Sequence, residues 1–195
     1  AGKEDKKDKV LEYAVMALEK KPGDVPALSI AAETSLELDD RDSAILYFRT
    51  LCEADSANVN ALGQLEKLYR TRGDTDNLIW ALERHLDAAP DDVKIIGEYS
   101  ELLYARGSIE QGVMYVRKGL AIDPSDGRLH ILMGENYRRL NQNDKAVAEF
   151  RIALKDSAWS SSAQRLIWQI ERPESSSEKN EKAFFNRGKT QSGKK

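Results

Sequence analysis

A single cysteine, Cys52, stands in a chain of 195 residues, so an intrachain disulfide is impossible and no thiolate cluster is available to hold a metal. Histidine is almost as scarce, with only His85 and His130 present. No HExxH, no Walker-type phosphate loop, no GxSxG and no GxGxxG occurs, which removes the familiar signatures of metallohydrolases, nucleotide binders and serine hydrolases. Basic residues are not in surplus. Thirty Lys and Arg against 33 Asp and Glu leave a formal charge of −3, whereas a general nucleic-acid binder needs excess cation to displace phosphate counterions. Apolar runs fall far short of the ~18 residues of a membrane span, and no apolar signal-peptide core is visible. The body of the chain therefore reads as soluble. It opens on Ala1 and a lysine-rich GKEDKKDK segment, and its compartment stays open: cytoplasmic or, behind a removed signal or anchor, periplasmic or membrane-associated.

What the chain does have is an internal period. Pro22, Pro90 and Pro124 fall in one phase of a 34-residue repeat, with Ser56 and Ala158 at the remaining places. Apolar columns keep the same step: Leu11, Ile45, Ile79, Val113 and Val147 in one; Leu18, Cys52, Leu86, Leu120 and Leu154 in another; Ala14, Phe48, Leu82, Val116 and Phe150 in a third. Inside each period the apolar residues recur at helical spacing, as in Leu78, Ile79, Leu82 and Leu86. Breakers at Arg72–Asp74, Arg106–Ser108 and Asn141–Asp144 predict tight turns, and the Asp residues after Pro90 and Pro124 predict caps on the helices that follow. The acidic clusters at Asp39–Asp42 and Asp74–Asp76 fall where such caps are needed and lack the spacing of a calcium loop. Each period is thus a helix, a turn, a second helix and a turn.

This pattern resembles the tetratricopeptide repeat. The stretch from Ser125 to Ser157 carries it best, with Met133, Gly134, Tyr137, Ala146, Phe150 and Ala153 at the family's large, small and aromatic positions. The resemblance implies an all-α fold, a right-handed α-solenoid of antiparallel helix hairpins, and it implies protein–protein interaction. Four units are expected at 25–58, 59–92, 93–126 and 127–160, behind a charged extension over 1–7 and a half-repeat helix over 8–24. A capping helix is expected over 160–172, with Ile167, Trp168 and Ile170 turned inward. Residues 173–195 have almost nothing able to build a core and read as a disordered basic tail, six basic against three acidic residues, net +3, leaving −6 for the rest. Phe184 and Phe185 are its candidate docking anchor.

The resemblance also places a binding groove on the first helices. Ser29, Gly63, Gly97 and Ile131 share one register; glycine within a helix costs ~1 kcal/mol relative to alanine, so a repeated small position there suggests close approach of a partner backbone, with Ile131 blocking or gripping its end. Glu33, Lys67, Glu101 and Glu135 form a second column and Leu36, Arg70, Tyr104 and Arg138 a third, with Lys94 and Arg128 at the entrance. The family's chaperone-binding members clamp a terminal carboxylate with paired Lys and Asn; here the corresponding positions carry Ser29, Glu33, Gly63 and Lys67, then Lys94 and Glu98, so that clamp is incomplete. Both histidines fall at core-type positions. The expected function is a protein-binding adaptor or assembly scaffold that takes a partner segment in the concave groove, with no enzymatic activity, no cofactor, no metal and no nucleic acid. The alternative is a self-assembling structural protein of a larger, membrane-associated or soluble complex, favoured, if no repeats precede Ala1, by an unpaired half-repeat whose apolar face needs cover.

Overall fold

The computed structural model describes residue 2 and residues 4–172. Ten helices follow in order: α1 Glu4–Lys20, α2 Val25–Glu37, α3 Arg41–Ala54, α4 Val59–Arg72, α5 Thr75–Ala88, α6 Val93–Arg106, α7 Ile109–Ile122, α8 Gly127–Arg139, α9 Asn143–Ala153 and α10 Ser160–Glu171. Their boundaries have local chemical causes. Asp24, Asp40, Asn58, Asp74, Asp92 and Asp126 each accept the backbone N–H three residues on, satisfying a donor that the first turn of a helix leaves free. The turns inside the hairpins share one device. Asp39, Gly73, Gly107 and Asn141, 34 residues apart, all take positive φ, between 57° and 84°. That conformation suits Gly and, among residues with a side chain, Asn and Asp best.

Asp40 and Asp74 therefore act as caps, as their place in the acidic clusters predicts. Hydrogen bonds from Ser43 to Asp40 and from Asn77 to Asp74 hold these carboxyls below their usual range, and Lys21, then the Ala27 N–H, does the same for Asp24. A carboxyl depressed in the folded state contributes stability above the unfolded value of ~4 and loses it as pH falls through the folded value. Acidification below pH ~4 should therefore lower the melting temperature, and the triple variant D24N/D40N/D74N should flatten that fall, since asparagine caps equally well without titrating. Thermal melts between pH 3 and 7 followed by circular dichroism test this; identical acid profiles would show that the caps do not carry the effect.

Successive hairpins, α2 with α3, α4 with α5, α6 with α7 and α8 with α9, stack side by side into an α-solenoid, and α1 and α10 lie at its ends. The buried side chains form two clusters. The larger runs through the stack from Leu28 to Met133, with Phe48, Leu62, Leu65, Tyr69, Leu82, Ile96 and Leu129 among its members. The smaller gathers Ile131, Ala146, Val147, Phe150 and Ala153 against Ala163, Leu166 and Ile167 of the closing helix. Small residues let the helices approach closely: a Cβ on Gly134 would stand 2.7 Å from Phe150 Cδ1, and one on Gly119 would stand 3.0 Å from Ile96 Cγ2.

Two expectations about the ends need correction. The first helix begins at Glu4, inside the segment expected to be a charged extension, because Glu4 and Asp5 suit the positive end of a helix and Lys7 reaches Glu37 of α2 at 2.9 Å. Trp168 does not turn inward. The face of α10 that meets α9 is Ala163, Leu166, Ile167 and Ile170, spaced for one stripe of a helix, and Trp168 lies about 100° round from Ile167. It is 60% exposed. Phe184, Phe185 and the whole 173–195 tail lie outside the described residues.

Candidate partner-binding groove

The first helices α2, α4, α6 and α8 carry the three predicted columns, and the charges along them differ in how they are engaged. Toward α8 the charges are consumed by one another. Arg70 Nη2 donates to Glu98 Oε2 at 2.7 Å; Arg128 grips Glu101 with Nε and Nη2 at 2.8 and 2.7 Å; Tyr104 donates to Glu135 at 2.7 Å. Arg138 then binds Glu135 at 2.8 Å and reaches Gln169 of α10 at 3.1 Å. The Glu101 hydrogen bonds hold the Arg128 guanidinium above its usual pKa against the opposing effect of burial. Arg70, Glu98, Glu101 and Arg128 rim a cleft of about 210 Å³ floored by Leu78, Leu82 and Leu102. Beyond it, Arg139 lies over the Tyr104 ring, 3.8 Å from its centroid, and donates to the Tyr104 carbonyl at 2.6 Å.

Toward α2 the surface is open. Glu33, Lys67 and Lys94 are exposed, and their charged ends pair with no described residue. A Cβ on Gly63 would meet nothing within 4 Å, and Ser29 is half-buried beside it in register.

The small-residue column takes on a specific meaning here. At Gly97 the group that approaches the backbone is the guanidinium of Arg128, whose Nη1 would be 3.2 Å from an added Cβ. Glycine at that place lets Arg128 cross the seam between α6 and α8 and reach Glu101 with two hydrogen bonds. Ile131, next in the column, is buried in the smaller cluster against α10, so it faces the closing helix and does not stand in the groove. Of the four predicted members, Ser29 and Gly63 remain accessible.

Polar groups that the repeat pattern alone does not pair lie inside the hairpins. His85 Nδ1 meets Glu66 Oε1 at 2.6 Å across α4 and α5, with both side chains 7% exposed. His130 Nδ1 meets Glu149 Oε2 at 2.7 Å across α8 and α9, and its Nε2 faces the Pro124 carbonyl at 3.1 Å. The repeat columns place both histidines in the core but do not name their carboxylate partners. The signal available is the equal spacing of 19 in Glu66–His85 and His130–Glu149, which is the distance between facing positions of one hairpin. Neither pair opens on the clefts described here. Burial, aided by Asp55 and Glu53, pushes the Cys52 thiol up to about 11, so thiolate is scarce at neutral pH. No described helix is long and apolar enough to cross a membrane.

No family model matches the chain, and no curated protein matches it either. Solved structures do. MamA is similar at 18% identity over 80% of this chain and 91% of that one, with a TM-score of 0.58. YrrB, described as a TPR protein with an unusual peptide-binding site, is similar at 15% identity over 83% of this chain and 84% of that one, with a TM-score of 0.61. TTC0263, a thermophilic TPR protein of Thermus thermophilus, is similar at 18% identity over 84% and 90%, with a TM-score of 0.51. At these identities the likeness is one of fold, and the fold is the tetratricopeptide-repeat solenoid.

Proposed function

We propose that this chain, carrying the tetratricopeptide-repeat fold, is a non-enzymatic interaction scaffold that binds a segment of another protein along the open half of its concave face. The observation that carries this reading is the contrast between the two halves. Arg70 with Glu98, Arg128 with Glu101, and Tyr104, Glu135, Arg138 and Gln169 with one another stiffen the wall, whereas Glu33 on α2, Lys67 on α4 and Lys94 at the start of α6 are exposed and pair with no described residue, around the accessible surface of Ser29 and Gly63. A preformed wall reduces the ordering cost of binding on the scaffold side. The partner segment runs over Gly63 and sets acidic side chains against Lys67 and Lys94, with Glu33 fixing its direction by taking a basic group. Arg70, Glu101, Tyr104, Arg128, Glu135 and Arg138 hold the groove's curvature, and contact the partner where it extends past the open half.

Partners captured by the intact chain are to be identified and their affinity then measured against two variants. Gly63→Leu fills open space, and K67E/K94E reverses two exposed cations. Each should weaken binding about tenfold or more, roughly 1.4 kcal/mol, with the melting temperature little changed. Binding at full strength to both variants would remove the open half from consideration.

A further inference from the structure

The first and last described helices are complementary halves of one hairpin. In register, α1 is a second-type helix whose first-type partner does not occur among the described residues, and α10 is a first-type helix without a described second. On α1, Val10 is 39% exposed and Ala17 is exposed, while their in-register counterparts in the later hairpins, Ala44 and Ala146 for Val10, Leu51 and Ala153 for Ala17, are buried. Tyr13, 68% exposed, and Ile30 wall an apolar groove of about 370 Å³ between α1 and α2, with Ala14 and Ala27 at its base. On α10, Trp168 stands in register with Ala32, Glu66, Ser100 and Gly134, all buried; Glu66 and Gly134 meet His85 and Phe150 of the second helix of their own hairpins.

The contacts inside the complete hairpins show what would meet if α10 of one copy lay on α1 of the next. Gly134 touches Phe150, and the in-register pair is Trp168 with Ala14: the large and small members have changed sides. Glu66 meets His85 at 2.6 Å, and the in-register pair sets Trp168 beside Ala17. His130 bonds Glu149 at 2.7 Å, and the counterpart pairs Gln164 with Tyr13. Lys145 lies 5.5 Å from the Tyr137 ring centroid, and the counterpart brings Lys9, which is 3.8 Å from Asp5 on its own helix, to Glu171, which Arg151 holds at 2.9 Å, so the contact would join two exposed ion pairs of opposite order. One register thus sets a large side chain against a small one, hydrogen-bonding groups together at Gln164 and Tyr13, and opposite charges together at Glu171 and Lys9.

We propose that the α1–α2 groove is the docking site for α10 of a second copy of this chain. The joint is heterologous, head to tail, so it continues the solenoid from copy to copy and leaves one free end of each type at every length. It uses the ends and leaves the concave face open, independently of the partner-segment reading above.

Light scattering on the size-fractionated 195-residue chain from ~5 to ~500 μM tests it. The average mass should climb above the 21.9 kDa of one chain as concentration rises. Trp168→Glu, on an exposed site, blocks one end, and Val10→Glu/Tyr13→Glu, also exposed, blocks the other; each variant alone should stay at the mass of one chain. Mixed in equal amounts, they retain one good end each and should stop at the mass of two chains. A wild-type protein that stays monomeric throughout overturns the proposal, as does growth by both blocked variants. Dimers lost in the α1 variant but kept by Trp168→Glu would assign the groove to a symmetric α1 pairing and overturn it too.

Discussion

His85→Leu is expected to remove about 3–5 kcal/mol of stability, the cost of leaving a buried carboxylate without its partner. Leucine keeps the volume of the site, so the loss comes from Glu66, which is 7% exposed inside the α4–α5 hairpin and bonded to His85 at 2.6 Å. Adding Glu66→Ala should recover most of it, because the double variant copies Ala32 and Leu51, the buried residues at the same two places of the α2–α3 hairpin. Equilibrium denaturation of wild type, both single variants and the double variant closes the cycle. A double variant as unstable as His85→Leu would show that shape, and not the unpaired charge, sets the cost; a loss of less than ~1 kcal/mol in the single variant would show that water reaches Glu66.

Phe150→Ala is the second large effect, about 3–5 kcal/mol for a fully buried aromatic side chain. Its partner in the contact is Gly134. Gly134→Ala gains ~1 kcal/mol of helix propensity but drives its methyl into the Phe150 ring, and overpacking of that kind costs ~1–3 kcal/mol, so the single change should be neutral to destabilising. In the Phe150→Ala background the same methyl enters vacated space, and the double variant should be more stable than Phe150→Ala alone. Both residues belong to the end of the stack where α10 closes a separate cluster, so near-UV signals of Trp159 and Trp168 should melt before the bulk of the helical signal in Phe150→Ala. Strictly additive effects would mean that the two residues do not share the contact.

Most of the fold is legible in the residues. The 34-residue columns place the helices, Asp and Asn before the first helices place their starts, and Asp39, Gly73, Gly107 and Asn141 mark the one turn that must be left-handed. The site is legible in part. Columns on the first helices identify which charges share a face, but pairing depends on which neighbour a long side chain reaches across the seam. Arg70–Glu98 and Arg128–Glu101 are separated by 28 and 27 residues, and Arg72–Asp42 and Arg106–Asp76 by 30, all short of a full period because the bonds run obliquely between adjacent helices. A search for opposite charges at that spacing finds them; a search for columns at 34 does not. The inward placement of Trp168 fails for a different reason. Its register is that of a core position, but a core position is made by the next helix, and the described chain does not provide it.

The hydrogen bonds and ion pairs named here join residues no more than 35 positions apart. Nothing in such an architecture records how long the molecule is. Each segment closes a loop of the same modest entropy, so assembly can begin at any hairpin and spread both ways, and a unit removed from or added to either end leaves the bonding of the interior unaltered. The protein behaves as a ruler with repeated graduations, whose reach can change by whole divisions while the spacing between its marks stays fixed.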